Sequence, residues 1–130
     1  MKYGAISTGS QESLDSAKSI FKEGGNAFDA AVAAVFTSMT SEFALTGPGG
    51  GGALLGIKNN NSPILYDFFV DCPYTKNKKI DFKKIEVDFG DTTQSFFVGK
   101  GSVAIPGTIA GLIQAHKENG ILPLKAILEP

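Results

Sequence analysis

The chain has a single cysteine, Cys72, and a single histidine, His116, among its 130 residues. One cysteine excludes an internal disulfide, and the two residues together fall short of a structural zinc site. Net charge is also scarce. The 12 basic and 13 acidic residues leave −1, so nothing draws the chain to nucleic acid or to an acidic membrane. No apolar run approaches the roughly 20 residues that span a bilayer. The start, Met1-Lys2-Tyr3-Gly4-Ala5-Ile6-Ser7, lacks a basic region followed by an apolar core. No secretory signal is read there, and a cytoplasmic location is the expectation. There is no internal repeat or low-complexity tract, and no linker suggests a domain boundary.

What the chain has in excess is glycine, 16 residues gathered in clusters. The remaining composition, 42% apolar and 19% charged, suits a globular protein. The most informative cluster lies in Lys22 to Ala34, KEGGNAFDAAVAA. Gly24 and Gly25 can supply the left-handed conformation that ends a helix. Asn26 is suited to cap the next one, with Asp29 in its first turn, where negative charge is favoured. That second helix, from Ala27 to about Met39, is almost wholly apolar, and a helix apolar all round is expected to be buried on all sides.

Other elements follow from periodicity and turn residues. Ala5 to Thr8 reads as a short strand. Ser10 caps a helix with Leu14, Ala17, Ile20 and Phe21 on one face. Ala53–Ile57 and Ile64–Phe69 read as a hairpin about the polar stretch 59–63, the second strand being apolar enough for the inside of a covered sheet. Lys76 to Lys84 reads as a solvated, lysine-rich loop. Ile85–Phe89 and Phe96–Val98 alternate like strands, with glycines interrupting them. Pro106-Gly107-Thr108 opens a helix that runs to Asn119 and stops at Gly120, and Leu122-Pro123-Leu124 opens another. That last helix has only two turns before Pro130, so the chain is expected to be a fragment of a larger protein.

Gly47, Gly49 and Gly52 match the pattern G-x-G-x-x-G. A dinucleotide site needs that pattern after a strand and before a helix, whereas here a helix precedes and a strand follows. No Lys-Ser or Lys-Thr follows, which excludes a P-loop. Gly99-Lys100-Gly101 leads into no helix start. The glycines therefore serve close backbone packing, or the approach of a ligand to bare backbone. Cys72 and His116 could form a thiol–imidazole pair. Yet Cys72 precedes Pro73 after a strand, and a histidine near a helix end ordinarily serves the dipole or the surface. No G-x-S-x-G elbow is present, and Thr92-Thr93 reads as an ordinary turn.

Three stretches in order resemble the gamma-glutamyltransferase family of N-terminal nucleophile hydrolases. They are the GGNAFDAAVAA run, Gly47-Pro48-Gly49-Gly50-Gly51-Gly52, and Ile105-Pro106-Gly107-Thr108-Ile109-Ala110-Gly111 with Asn119-Gly120 and Leu122-Pro123-Leu124 beyond. The resemblance implies an α+β fold, one part of a four-layer αββα sandwich, with residues 1–130 an incomplete N-terminal portion of the large subunit. It implies a precursor that cleaves itself, and a threonine nucleophile that starts the small subunit and lies outside this chain. The reaction would transfer or hydrolyse a gamma-glutamyl or related acyl amide, such as glutathione, without cofactor or metal. The partners would be the rest of the large subunit and the small catalytic subunit.

The family places a carboxylate-binding arginine just after the hairpin's second strand. The matching position here is Phe69, flanked by Asp67, Phe68 and Pro73 as the pattern requires. A phenyl ring cannot pair with a carboxylate, which resembles a divergent, gamma-glutamyltransferase-related branch and points to a less charged acyl group. The same substitution motivates a second reading, a non-catalytic scaffold or binding module. A third is an unrelated nucleotide-binding protein. The chain alone is expected to be marginally folded and to lack amidase activity.

Overall fold

The computed structural model describes residues 4–58, 62–73 and 80–130. The chain separates into two units, residues 1–70 with 106–130, and residues 71–105. No boundary was expected from the sequence, because residues 71–105 carry no linker composition at either end. They form a unit because they close on themselves. Asp71 and Ile105 exchange backbone hydrogen bonds of 3.1 and 2.7 Å.

The larger unit is built on two helices, α1 (Gln11–Lys22) and α2 (Ala27–Ser41). Ser10 caps α1 by accepting from the Ser13 N–H. Residues 5–8 form no strand and run as irregular chain beside the helices. Ala17 and Ile20 are buried on α1 as expected, but the rest of its buried face is Ser13 and Ser16, while Leu14 and Phe21 are only half-buried. Small side chains, not the larger Leu14 and Phe21, thus make most of α1's buried face.

α1 ends in a Schellman motif. Gly24, at φ +91°, donates to the Phe21 carbonyl, and Gly25 donates to that of Ile20. Only Gly24 is left-handed. Gly25 is needed for space, since a Cβ there would lie 2.5 Å from Ile20 Cγ2. Asn26 then caps α2 in a reciprocal box with Asp29. The core forms where Ala30, Val32 and Ala33 of α2 meet Ala17 and Ile20 of α1, together with Leu112 and Ile127. α2 is not buried all round: Ala27 and Ala31 are exposed. They face an open groove of about 410 Å³, bounded on its other side by Ile6 to Gly9.

After α2 the glycine stretch leads into an antiparallel hairpin, β1 (Ala53–Gly56) and β2 (Ile64–Asp67), with Leu54 opposite Tyr66 and Leu55 opposite Leu65. The centre of its expected polar turn, 59–61, lies outside the described residues. β2 stops at Asp67 rather than Phe69. It was expected inside a covered sheet, yet Ile64 and Leu65 are exposed, and β1 is its only partner among the described residues. The apolar pattern specifies a covering layer that the described residues do not provide.

Two helices complete the unit, α3 (Thr108–Asn119) and the short α4 (Leu124–Ile127). Gly120 does follow α3, but at φ −68° it is not a left-handed stop. Space again decides, because a Cβ there would lie 2.6 Å from Asp29 Oδ1.

The smaller unit is a hairpin of β3 (Lys83–Asp88) and β4 (Thr93–Val98). Lys83 and Lys84 belong to β3 rather than to a loop, and Lys84 pairs with Glu86 at 2.6 Å. Lys76 to Lys79 lie outside the described residues. The glycines bound the strands instead of interrupting them. Gly90, at φ +88°, makes the turn, with Phe89 donating to the Thr92 carbonyl, and Gly99 follows β4. Thr92 lies in this turn, as expected, whereas Thr93 already opens β4 opposite Asp88. Phe82 and Phe97 stack with ring centroids 4.7 Å apart. Helices and antiparallel strands occupy separate stretches of the chain, which makes it α+β. Among the described residues no helix is long and apolar enough to cross a membrane.

Candidate functional site

The glycine stretches that lie far apart in sequence meet on one short piece of backbone, Phe68 to Val70. Gly52 pairs with Phe68 through hydrogen bonds of 3.3 and 3.0 Å. A Cβ on Gly51 would run into the Val70 nitrogen and lie 2.8 Å from the Phe69 carbonyl carbon. On the other side, a Cβ on Gly107 would collide with the Phe68 carbonyl oxygen, and one on Gly111 with the Phe68 ring. No L side chain fits at these approaches, so the residue type follows from the packing. The Gly50 carbonyl ties the two sides together by accepting from the Gly107 and Thr108 N–H groups at 3.2 and 3.3 Å.

Phe69 sits at the centre of this clamp. Its N–H donates to Asp67 Oδ1 at 3.1 Å, a local Asx turn that directs the chain out of β2. Its backbone is enclosed by glycines while the residue is 70% exposed. Residue 69 is therefore rigid at the main chain and open at the side chain. An open groove of about 520 Å³ lies beside the neighbouring Phe68, walled by the glycine loop, Phe68 and Thr108 and not by Phe69.

Sequence reasoning missed two features. The first is that the G-x-G-x-x-G-like loop does lie against a helix N-terminus, that of α3, which comes much later in the chain. Only the fold reveals this, because no local spacing joins Gly50 to Thr108.

The second is a polar network beneath the GGNAFDAAVAA run. The Asp29 carboxylate, 0% exposed, accepts from the Asn26 N–H at 2.9 Å and from the Ile121 N–H at 3.2 and 3.1 Å. Asn26 Nδ2 donates to the Asn119 carbonyl at 2.7 Å. Asn119 Nδ2 donates in turn to the Tyr66 hydroxyl at 2.6 Å, and that hydroxyl donates to Glu118 Oε2 at 2.6 Å. The Tyr66 bond holds the Glu118 carboxyl below its ordinary range, assisted by Gln114, and the same bond raises the Tyr66 hydroxyl.

His116 belongs to this network and is not a surface or dipole residue. It is buried, with Nε2 3.0 Å from the Leu122 carbonyl and 3.3 Å from Asp29 Oδ1. Both neighbours are acceptors, so Nε2 carries the proton. The imidazole is thus committed to structure. Cys72 is exposed and belongs to the smaller unit. Among the described residues, no group of three or more His, Cys, Asp or Glu is placed to hold a metal ion.

Comparison with known proteins matches this geometry to a family. The family model described as gamma-glutamyltranspeptidase matches residues 15–130. The chain is 32% identical over 128 residues to a glutathione hydrolase proenzyme of Pseudomonas aeruginosa, covering 98% of the chain and 22% of that protein. It is 30% identical over 128 residues to glutathione hydrolase 2 of Arabidopsis thaliana, covering 98% and 21%. The chain thus spans about a fifth of the length of these curated relatives. The crystal structure of Helicobacter pylori gamma-glutamyltranspeptidase superposes with a TM-score of 0.77 at 26% identity, over 100% of this chain and 36% of that one.

Proposed function

The chain belongs to the gamma-glutamyltranspeptidase family, and from that premise we propose that it is the N-terminal part of the large subunit of a gamma-glutamyltransferase-like enzyme. The complete protein would carry the four-layer αββα sandwich, of which this chain contributes α1, α2 and the β1–β2 hairpin. The exposed apolar residues of that hairpin are the surface on which further layers would pack. The chain supplies scaffold and one wall of the substrate pocket. The nucleophile, a threonine freed by self-cleavage, lies outside it, in a small subunit that is its partner together with the rest of the large subunit.

The chemistry is acyl transfer. The threonine hydroxyl attacks the amide carbonyl while its own α-amino group takes the proton. The amine departs with that proton and leaves an acyl ester. Water or a second amine then attacks the ester and restores the hydroxyl. The chain's own contribution is to fix the wall against which the acyl group lies, since positioning supplies much of the barrier reduction. The observation that supports this reading is the convergence of two glycine-bearing stretches, Gly47–Gly52 and Ile105–Gly111, on Phe68–Val70, which holds residue 69 rigidly and presents it outward.

The identity of residue 69 then sets the substrate class. An arginine there would pair bidentately with a carboxylate, whereas Phe69 offers an apolar surface. The proposed substrate is an amide whose acyl part makes no ion pair at this position. Expression of the complete reading frame, followed by mass spectrometry and N-terminal sequencing, tests the reading. The expected result is two subunits, the smaller beginning with threonine. An uncleaved product with no such threonine would sink it.

A further inference from the structure

The groove beside Phe68 contains hydrogen-bond donors that the fold leaves unused. Thr108 is only 5% exposed and lines the groove, and its hydroxyl has no hydrogen-bond partner among the described residues. The hydroxyl faces the glycine loop, 3.8 Å from where a Cβ of Gly50 would stand. Thr108 is also the first residue of α3, a helix of 12 residues whose N-cap, Gly107, provides no side-chain cap. The Gly50 carbonyl takes the N–H groups of Gly107 and Thr108. Those of Ile109 and Ala110 have no acceptor among the described residues outside their own helix. Among the described residues no acidic side chain lines the groove. The opposite wall, Gly47 to Gly52, presents mostly bare backbone.

The Thr108 side chain is almost wholly enclosed, and its hydroxyl, with no protein partner among the described residues, opens only onto the groove, where a ligand can take its hydrogen bond. Uncapped helix N–H groups add a positive end that favours an anion. The glycine wall leaves room for a ligand to approach. We propose that this groove binds the carboxylate of a small ligand through the Thr108 hydroxyl and the N-terminal amides of α3. The site differs from position 69, and it recognises its carboxylate by hydrogen bonds in place of an ion pair. In an acyl-transfer enzyme that carboxylate belongs either to the acyl substrate or to the accepting amine.

Two ligand pairs distinguish these sources in the complete protein. L-glutamate is compared with isoglutamine, its α-amide, and glycylglycine with glycylglycinamide. Calorimetry is expected to show the acid binding about tenfold more tightly than the amide in one pair, the margin of a charge-assisted hydrogen bond. A preference in the first pair places the acyl substrate in the groove, and one in the second pair places the acceptor. Thr108→Val should abolish most of the preference and leave the ligand-free melting temperature unchanged, while Thr108→Ser should keep the preference. Should Thr108→Val fail to fold, the wild-type protein still decides the matter, because the amide resonances of Ile109 and Ala110 must shift with the acid and not with the amide. Equal binding of acid and amide in both pairs, no binding of either, or an undiminished preference in Thr108→Val overturns the site. None of these measurements needs turnover. A protein that binds as expected but never cleaves itself therefore refutes the enzyme reading alone.

Discussion

The proposed substrate class rests on Phe69, through the ion pair that a phenyl ring cannot make. In the complete protein, Phe69→Arg places a guanidinium where the ring now lies exposed. A charge-assisted pair with a substrate carboxylate is worth about 1.5–3 kcal/mol, so kcat/KM for a gamma-glutamyl anilide should rise about tenfold or more. Steady-state kinetics of the two proteins give the answer, and no gain would show that residue 69 does not face the acyl group. Gly107 tests the clamp itself. Gly107→Ala drives a methyl group into the Phe68 carbonyl, a backbone atom with little freedom to move. A loss of about 3 kcal/mol is expected in urea unfolding of the complete protein. A loss below 0.5 kcal/mol would mean that the two sides of the clamp are not held together.

Among the elements, α2 and α3 are joined by apolar contact through Leu112 and also by the polar network around Asp29. The GGNAFDAAVAA run therefore has a structural reason for each polar residue. Asn26 caps α2 and grips the Asn119 carbonyl, and Asp29 closes the cap and holds the turn after α3 through the Ile121 N–H. Asp29→Ala would leave buried donors unmatched and should cost about 3 kcal/mol, again read from urea unfolding.

The outer end of the network titrates. Glu118 lies below its ordinary 4.5 chiefly because Tyr66 donates to it. A depressed carboxylate stabilises the fold above its unfolded value, and that contribution is lost as the pH falls through the lower, folded value. Tyr66→Phe should therefore bring the Glu118 titration up towards 4.5, as followed by carbon-13 NMR of its side-chain carboxyl. An unchanged titration would show that Tyr66 does not donate to Glu118.

At the scale of the whole chain, apolar surface remains uncovered in both units. Leu55 and Leu65 are exposed on the first hairpin, and Ile85, Phe89, Phe96 and Phe97 are at least partly exposed on the second. A two-stranded hairpin without a covering layer is marginal in water. Residues 1–130 expressed alone should melt broadly in calorimetry and show no amidase activity. A sharp, cooperative transition from a monomer would mean that the uncovered surface is tolerated and that the chain is self-sufficient.

The sequence by itself determined the helix ends, the hairpins and the family. These are local matters: Ser10 and Asn26 cap through bonds to residues two or three positions on, Gly24 has the one backbone that allows φ +91°, and the three family stretches lie in linear order. The sequence could not show that Ala5–Thr8 finds no strand partner among the described residues, that Ser13 and Ser16 would be buried in place of Leu14 and Phe21, or that His116 would face Asp29. Each of these depends on a neighbour distant along the chain. Only tertiary structure brought Gly51, Gly107 and Gly111 onto Phe68–Val70 and set the N-terminus of α3 against the glycine loop. Periodicity and turn chemistry act over a few residues, whereas close approach and the pairing of buried polar groups depend on which surfaces meet once the chain has folded.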